Sequence, residues 1–160
     1  MKKNSMRWTL FGAAALAGLV LVLGPGRGRL ISAQNLPAAR AIAPGKDLSP
    51  HFSDPYRAGL ILKIVSDVYH GNPLPFPKDG VVFENRQKLL PIQPKGYYRE
   101  YTVLPKRGGP TVVSVGEQTF NIPPAPPGNR GAERIIIGGG EVLYYTPDHY
   151  KTFIELQVLR

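Results

Sequence analysis

The sequence contains no cysteine, which excludes disulfides, zinc–thiolate sites, iron–sulfur clusters and thiol nucleophiles. Charged residues make up only 19% and hydrophobic ones 42%, a balance that fits a globular chain and neither a charge-rich disordered one nor a polytopic membrane protein. Acids are scarce, with 11 against 20 Lys and Arg and a net charge of +9. None occurs before Ala33, where Lys2, Lys3, Arg7, Arg27 and Arg29 lie, so the rest carries fifteen cations against eleven acids. That moderate excess favours a polyanionic partner without requiring one. Walker-type, dinucleotide-type and zincin motifs are absent; Gly138-Gly139-Gly140 neither has the needed spacing nor opens a helix. His51, His70 and His149 lie far apart, none at ligand spacing from another. What chemistry there is must be metal-free acid–base work.

What is abundant is glycine and proline, 18 and 17 in 160 residues. They exclude a helical bundle and predict a single modest core with a large share of loops and turns. The basic start, Met1 to Arg7, precedes an uncharged apolar stretch from Trp8 to Gly24 that ends at Pro25-Gly26. This predicts a secretory signal over residues 1–33, cleaved after Ile31-Ser32-Ala33. The alternative is an uncleaved anchor, since the run approaches the roughly 20 residues of a spanning helix. Residues 34–51, with Pro37, Pro44, Gly45 and Pro50 and no sustained period, read as a linker, and 52–160 as the domain.

In the domain, Ser53 or Asp54 caps a helix beginning at Pro55. Leu60, Ile61, Ile64, Val65 and Val68 form one face of a 3.6-residue period, and Gly71 stands where a left-handed cap ends it. Strands are predicted at Val81–Phe83, Tyr97–Val103, Arg134–Ile137, Val142–Tyr145 and Thr152–Leu156. In the second of these, alternation places Tyr98, Glu100 and Thr102 on one face and Tyr97, Arg99, Tyr101 and Val103 on the other. The long region 104–129 reads as a hairpin, Thr111–Val115 with Thr119–Ile122, then a stiff proline spacer. Its length suggests a lid, a partner contact or a tolerated insertion. The fold class is α+β: one amphipathic N-terminal helix on a small twisted antiparallel sheet, with a groove on the sheet's other face.

Four residues make a coherent chemical set. Glu100 lies in a strand, Arg130 and Arg134 flank a loop-to-strand boundary, and His149 sits between Asp148 and Tyr150. One carboxylate, one imidazole and two guanidinium groups suit cleavage of a phosphodiester that has a neighbouring hydroxyl. Each by itself has a plainer explanation as a solvated surface residue. The tyrosines of the strands likewise have cross-strand packing roles open to them.

The stretches DGVVF.NR..LLP (79–91), GYY.EYTV (96–103), RG..RII (130–136) and YYT.DHY.TF (144–153) occur in that order. The chain thereby resembles the bacterial secreted guanyl-specific ribonucleases, the family that includes barnase, over about two-thirds of its length, with 104–129 longer than the family's loop. The resemblance implies Glu100 as the general base that takes the ribose 2′-OH proton and His149 as the general acid for the departing 5′-oxygen. It implies Arg134 and Arg130 as phosphate ligands, for which the planar guanidinium fork is suited. Phe83 and Tyr150 correspond to aromatics that stack on the base, and the backbone N–H groups of Glu84, Asn85 and Arg86 to donors facing the guanine acceptor edge. Gln87 stands where the family has a glutamate for the guanine N1–H and N2–H. Gln offers one acceptor and an NH2, so one guanine donor meets a donor. A missing charged partner costs about 1.5–3 kcal/mol, which predicts a relaxed guanine preference.

The resulting expectation is a secreted, monomeric endoribonuclease acting on RNA without metal or cofactor. Family members are commonly held in check by a small acidic inhibitor protein. A membrane association is expected only if the signal is not cleaved. The alternatives are a non-catalytic RNA-binding module, with the groove blocked by the insertion, and a ribonuclease toxin used against competing cells.

Overall fold

The computed structural model describes residues 41–160. The predicted signal, 1–33, and the start of the predicted linker, 34–40, lie outside the described residues. The elements in chain order are β1 (Asp47–Ser49), α1 (Pro55–His70), β2 (Val81–Val82), β3 (Tyr98–Thr102), β4 (Val112–Val115), β5 (Gln118–Asn121), β6 (Arg134–Gly138), β7 (Val142–Thr146) and β8 (Ile154–Leu159). Six strands form one antiparallel sheet in the order β1-β8-β7-β6-β3-β2; β4 and β5 pair separately. This is the predicted α+β architecture.

Helix α1 starts where its sequence can satisfy free N–H groups. Asp54 is extended and accepts from the Tyr56 N–H at 3.0 Å, with Pro55 in the first turn. It stops at Gly71, whose φ of 68° lets its N–H and the next reach back to carbonyls of the last turn. Ile61, Ile64 and Val65 are buried along its inner face. They join Tyr101, Val103, Ile135, Ile137, Leu143, Tyr145, Ile154 and Leu156 in one core cluster. Those sheet residues alternate with Tyr98, Ile136 and Tyr144, which with Leu90 form a second cluster. The period of two thus divides each strand between a helix-side core and a groove-side face. Burial of one such Ile or Val contributes about 1.5–3 kcal/mol.

Two predicted segments need correction. Residues 34–51 are not a linker throughout: Asp47–Ser49 form β1, paired with Leu159, Val158 and Gln157 of β8, and Leu48 is 2% exposed. Three residues carry no readable period, and their partner lies at the far end of the chain. The approach is close: the Lys46 N–H donates to the Leu159 carbonyl at 2.7 Å, and a Cβ on Gly45 would run into that oxygen. The same pairing carries β8 to Leu159, past the predicted end at Leu156.

The region 104–129 does contain the predicted hairpin, turning at Gly116 with φ 58°. It is not a separate lid. Val113, Val115 and Ile122 belong to the helix-side core, and the hairpin is tied to the chain before the helix by Ser53 N–H to Ser114 O at 2.9 Å and Gly116 N–H to His51 O at 2.8 Å. The prolines that follow line a cavity of about 150 Å³ with residues of the 104–111 loop.

Candidate active site

The register assembles the groove. Glu100 lies opposite Ile136 and Thr102 opposite Arg134, while Arg134 lies opposite Thr146 on the next strand. Glu100, Thr102 and Arg134 therefore share the groove-side face. Arg130 enters from the loop before β6. Its Nε donates to the Thr102 hydroxyl at 2.7 Å, and its terminal nitrogen lies 3.3 Å from Asp79 and 3.8 Å from Glu100. The Asp79 carboxylate is buried and also accepts from the Thr102 N–H at 2.8 Å and hydroxyl at 2.7 Å. It fixes the strand and one arginine together.

Arg134 is held differently. One terminal nitrogen donates to the carbonyls of Arg130, Gly131 and Glu133 at 3.3, 3.0 and 2.7 Å. The residue is 4% exposed, and its Nε has no partner. Among the described residues no carboxylate pairs with it, so a buried guanidinium is left aimed by its own turn and short of an anion.

Behind this turn is an ionic cluster. Arg57 of α1 donates through Nε and a terminal nitrogen to Glu133 at 3.0 and 3.2 Å, and also to Asp54 and, at 2.9 Å, to the Pro110 carbonyl. The Tyr145 hydroxyl donates to Glu133 at 2.6 Å, and burial with that carboxylate beside it pushes the phenol far up. Glu133 thus roots the arginine-bearing turn in the helix-side core.

His149 and Tyr150 sit after β7 with φ of 59° and 72°, both left-handed. Such strain in two successive residues with side chains has to be held from outside. Asp148 does this: its Oδ1 accepts from the Lys151 and Thr152 N–H groups at 3.0 and 2.8 Å and from the Thr146 hydroxyl at 3.2 Å. Burial would raise its pKa, but hydrogen bonds from Thr152, Thr146 and Lys151 outweigh it and hold the carboxyl below its ordinary value. The exposed His149 ring lies 4.6 Å from that of Tyr150. Tyr150 in turn donates its hydroxyl to Glu100 Oε2 at 2.7 Å. Burial, and then that bond, push its phenol up to about 12, against the pull of Arg134. Glu100, both arginines, His149 and Tyr150 therefore form one chain of neighbours.

The loop 84–90 is closed by Asn85, whose amide donates to the Leu90 carbonyl at 2.8 Å and accepts from its N–H at 3.1 Å. Asn85 and Lys88 take φ of 48° and 56°. The Phe83 ring packs 5.2 Å from that of Tyr150, so the two predicted stacking aromatics are adjacent. Arg86 pairs with Glu84 at 2.6 Å, and Gln87 is exposed.

Residues 31–157 match the family model described as ribonuclease. The chain belongs to the ribonuclease family. It is 38% identical over 107 residues to guanyl-specific ribonuclease St of Saccharopolyspora erythraea, covering 67% of this chain and 78% of that one. To guanyl-specific ribonuclease Sa3 of Kitasatospora aureofaciens it is 44% identical over 84 residues, covering 52% of this chain and 46% of the relative. A solved structure of ribonuclease Sa2 with mononucleotides matches 61% of this chain and 81% of that one at 33% identity, with a TM-score of 0.45.

Within this member of the ribonuclease family, the fold brings Glu100, Arg130, Arg134, His149 and Tyr150 together, and the residues that hold them carry weaker signals in the sequence. Asp79 and Glu133 are not among the predicted site residues, and Thr102 and Asp148 enter the prediction only as neighbours of Glu100 and His149. Asp148, next to the candidate histidine, carried a local signal, since Asp at the start of a turn commonly accepts from following N–H groups. Asp79 and Glu133 carried none, because their partners are distant along the chain. Tyr150 adds a contact that a stacking role does not require, its hydroxyl on the Glu100 carboxylate.

Proposed function

We propose that this endoribonuclease cleaves single-stranded RNA with Glu100 as base, His149 as acid and Arg130 and Arg134 as phosphate ligands. Glu100 removes the 2′-OH proton, the 2′-oxygen attacks the adjacent phosphorus, and the bond to the 5′-oxygen breaks as that oxygen takes a proton from His149. The first product is a 2′,3′-cyclic phosphate; water then opens it with the two roles exchanged. DNA lacks the attacking hydroxyl and is not a substrate. The observation that carries this reading is Arg134, a buried guanidinium with an unpartnered Nε next to the Tyr150 phenol that donates to the Glu100 carboxylate. A phosphoryl group supplies the missing acceptor, and a preorganised donor in a buried site acts most strongly on charge that develops there.

Residues 83–87 are the proposed base site, with Phe83 and Tyr150 as stacking surfaces and the loop N–H groups as donors. Gln87 weakens the guanine preference for want of a second acceptor, and Gln87→Glu raises it. A small acidic inhibitor protein fits the basic groove, and export by cleavage of residues 1–33 fits the basic and then apolar start. The binding-module reading is disfavoured because the hairpin of the insertion spends its apolar residues in the helix-side core.

The test is cleavage of defined dinucleotides and of total RNA, with product analysis, by the unaltered protein and by Glu100→Ala and His149→Ala. Cyclic phosphate formed by the first and lost in both variants supports the reading. RNA affinity without turnover overturns it. N-terminal sequencing of protein recovered from culture medium tests export.

A further inference from the structure

Beside the recognition loop lies a cavity of about 410 Å³, ample for a nucleobase. Phe83 and Tyr98 line it, both members of the groove-side cluster, and Ile92, 82% exposed, stands at its margin. Aromatic and aliphatic walls of this kind suit a stacked ring. Lys88 and Lys95 also line it and favour a ligand that carries phosphate. Glu84 is the one acidic residue that lines the cavity, whereas Gln87 does not contribute to its wall.

Guanine presents two neighbouring N–H donors at N1 and N2, and an ionised carboxylate is an acceptor-only group with two oxygens to meet them. Adenine presents an acceptor at N1 and is repelled at the same place. We propose that Glu84 is the carboxylate that reads guanine in this chain, supplying from three positions upstream part of what Gln87 lacks. The inference rests on the endoribonuclease reading above and deepens it.

Three observations fit Glu84 for this role. Its carboxylate is held below the ordinary range by the hydrogen bond and charge of Arg86, with Lys95 adding to them, so it remains an acceptor. Arg86 bonds to Oε2, so both oxygens meet the base once that pair opens. The Arg86 side chain is 81% exposed, and so loose an ion pair yields readily to an incoming ligand. The backbone that carries Glu84 is fixed by the two Asn85–Leu90 hydrogen bonds, so little ordering is required on binding.

The experiment compares kcat/KM for GpN and ApN dinucleotides. Glu84→Gln, an exposed substitution that leaves the core untouched, lowers the GpN to ApN ratio about tenfold or more. A ratio within about twofold of the unaltered protein's in Glu84→Gln, including an equal fall on both substrates, overturns the inference. Calorimetric binding of guanosine and adenosine 3′-monophosphates reads the same ratio without turnover. Should the protein cleave nothing, the nuclease reading fails while Glu84 is still decided by these affinities.

Discussion

The hydroxyl of Tyr150 donates to Glu100 Oε2 at 2.7 Å across fifty residues of chain. It orients the carboxylate assigned as base, while the same ring lies 5.2 Å from Phe83 and 4.6 Å from His149. One side chain therefore adjoins the Phe83 ring, the Glu100 carboxylate and the His149 imidazole.

Tyr150→Phe keeps the ring and removes the hydroxyl. A hydrogen bond to a charged group contributes about 1.5–3 kcal/mol, so kcat/KM on a dinucleotide falls at least about tenfold. Tyr150→Ala also removes the stacking surface and raises KM further. Equal kinetics for Phe and Tyr would remove the hydroxyl from the mechanism. Because the folded-state phenol is pushed up to about 12, its contribution to stability is whole below the unfolded value of about 10 and is lost as pH rises through the folded one. Alkaline unfolding scans should show the stability difference between Tyr150→Phe and the unaltered protein shrinking over that window.

Asp79→Ala strips the buried Thr102 N–H and hydroxyl of their acceptor and Arg130 of a carboxylate. Unpaired buried groups of this kind cost about 1–3 kcal/mol each, so a total loss of about 3 kcal/mol is expected in urea unfolding. Asp79→Asn retains one acceptor and loses less. Turnover falls with either change, since Arg130 loses the group that aims it.

Arg57→Met leaves Glu133 and Asp54 buried without their cation, and side-chain exposures of 5% and 6% leave water little access to either. Breaking a buried pair from one side costs about 3–5 kcal/mol. The double variant Arg57→Met with Glu133→Leu removes that pair and recovers part of the loss, since Asp54 still lacks its cation. A double-mutant cycle on unfolding free energy measures the coupling. Strict additivity of the two substitutions would contradict the geometry.

The Asp148 carboxyl lies below its ordinary value in the fold, so it stabilises the protein above the unfolded value of about 3.9 and that contribution is lost as pH falls through the folded one. Asp148→Asn should lower the melting temperature at neutral pH, and the gap to the unaltered protein should close in acid. Activity falls at neutral pH as well, because the left-handed pair His149 and Tyr150 loses its clamp. A gap independent of pH would mean that charge on Asp148 is not what holds the turn.

Local signals were most legible where the chain's own neighbours decide the outcome. Asp54, Pro55 and Gly71 mark the ends of α1 because capping is satisfied within a turn of helix. The alternation in β3 put Glu100 and Thr102 on one face, and pairing with β6 added Arg134 to it. Strand β1 and the final residues of β8 were not legible, since each is a strand only because the other is beside it. The insertion looked detachable for the same reason, its buried Val113 and Val115 facing a core built elsewhere.

The order of motifs along the chain determined the family and the pattern of apolar residues the α+β class, because residue type and spacing carry that information directly. Which partner each charge would find was decided by the tertiary structure: Glu133 inward to Arg57 and Tyr145, Asp79 to Thr102 and Arg130, Tyr150 to Glu100. Hydrogen bonds and ion pairs reach only about 3 to 4 Å, and groups that far apart in sequence come within that range only once the sheet has closed.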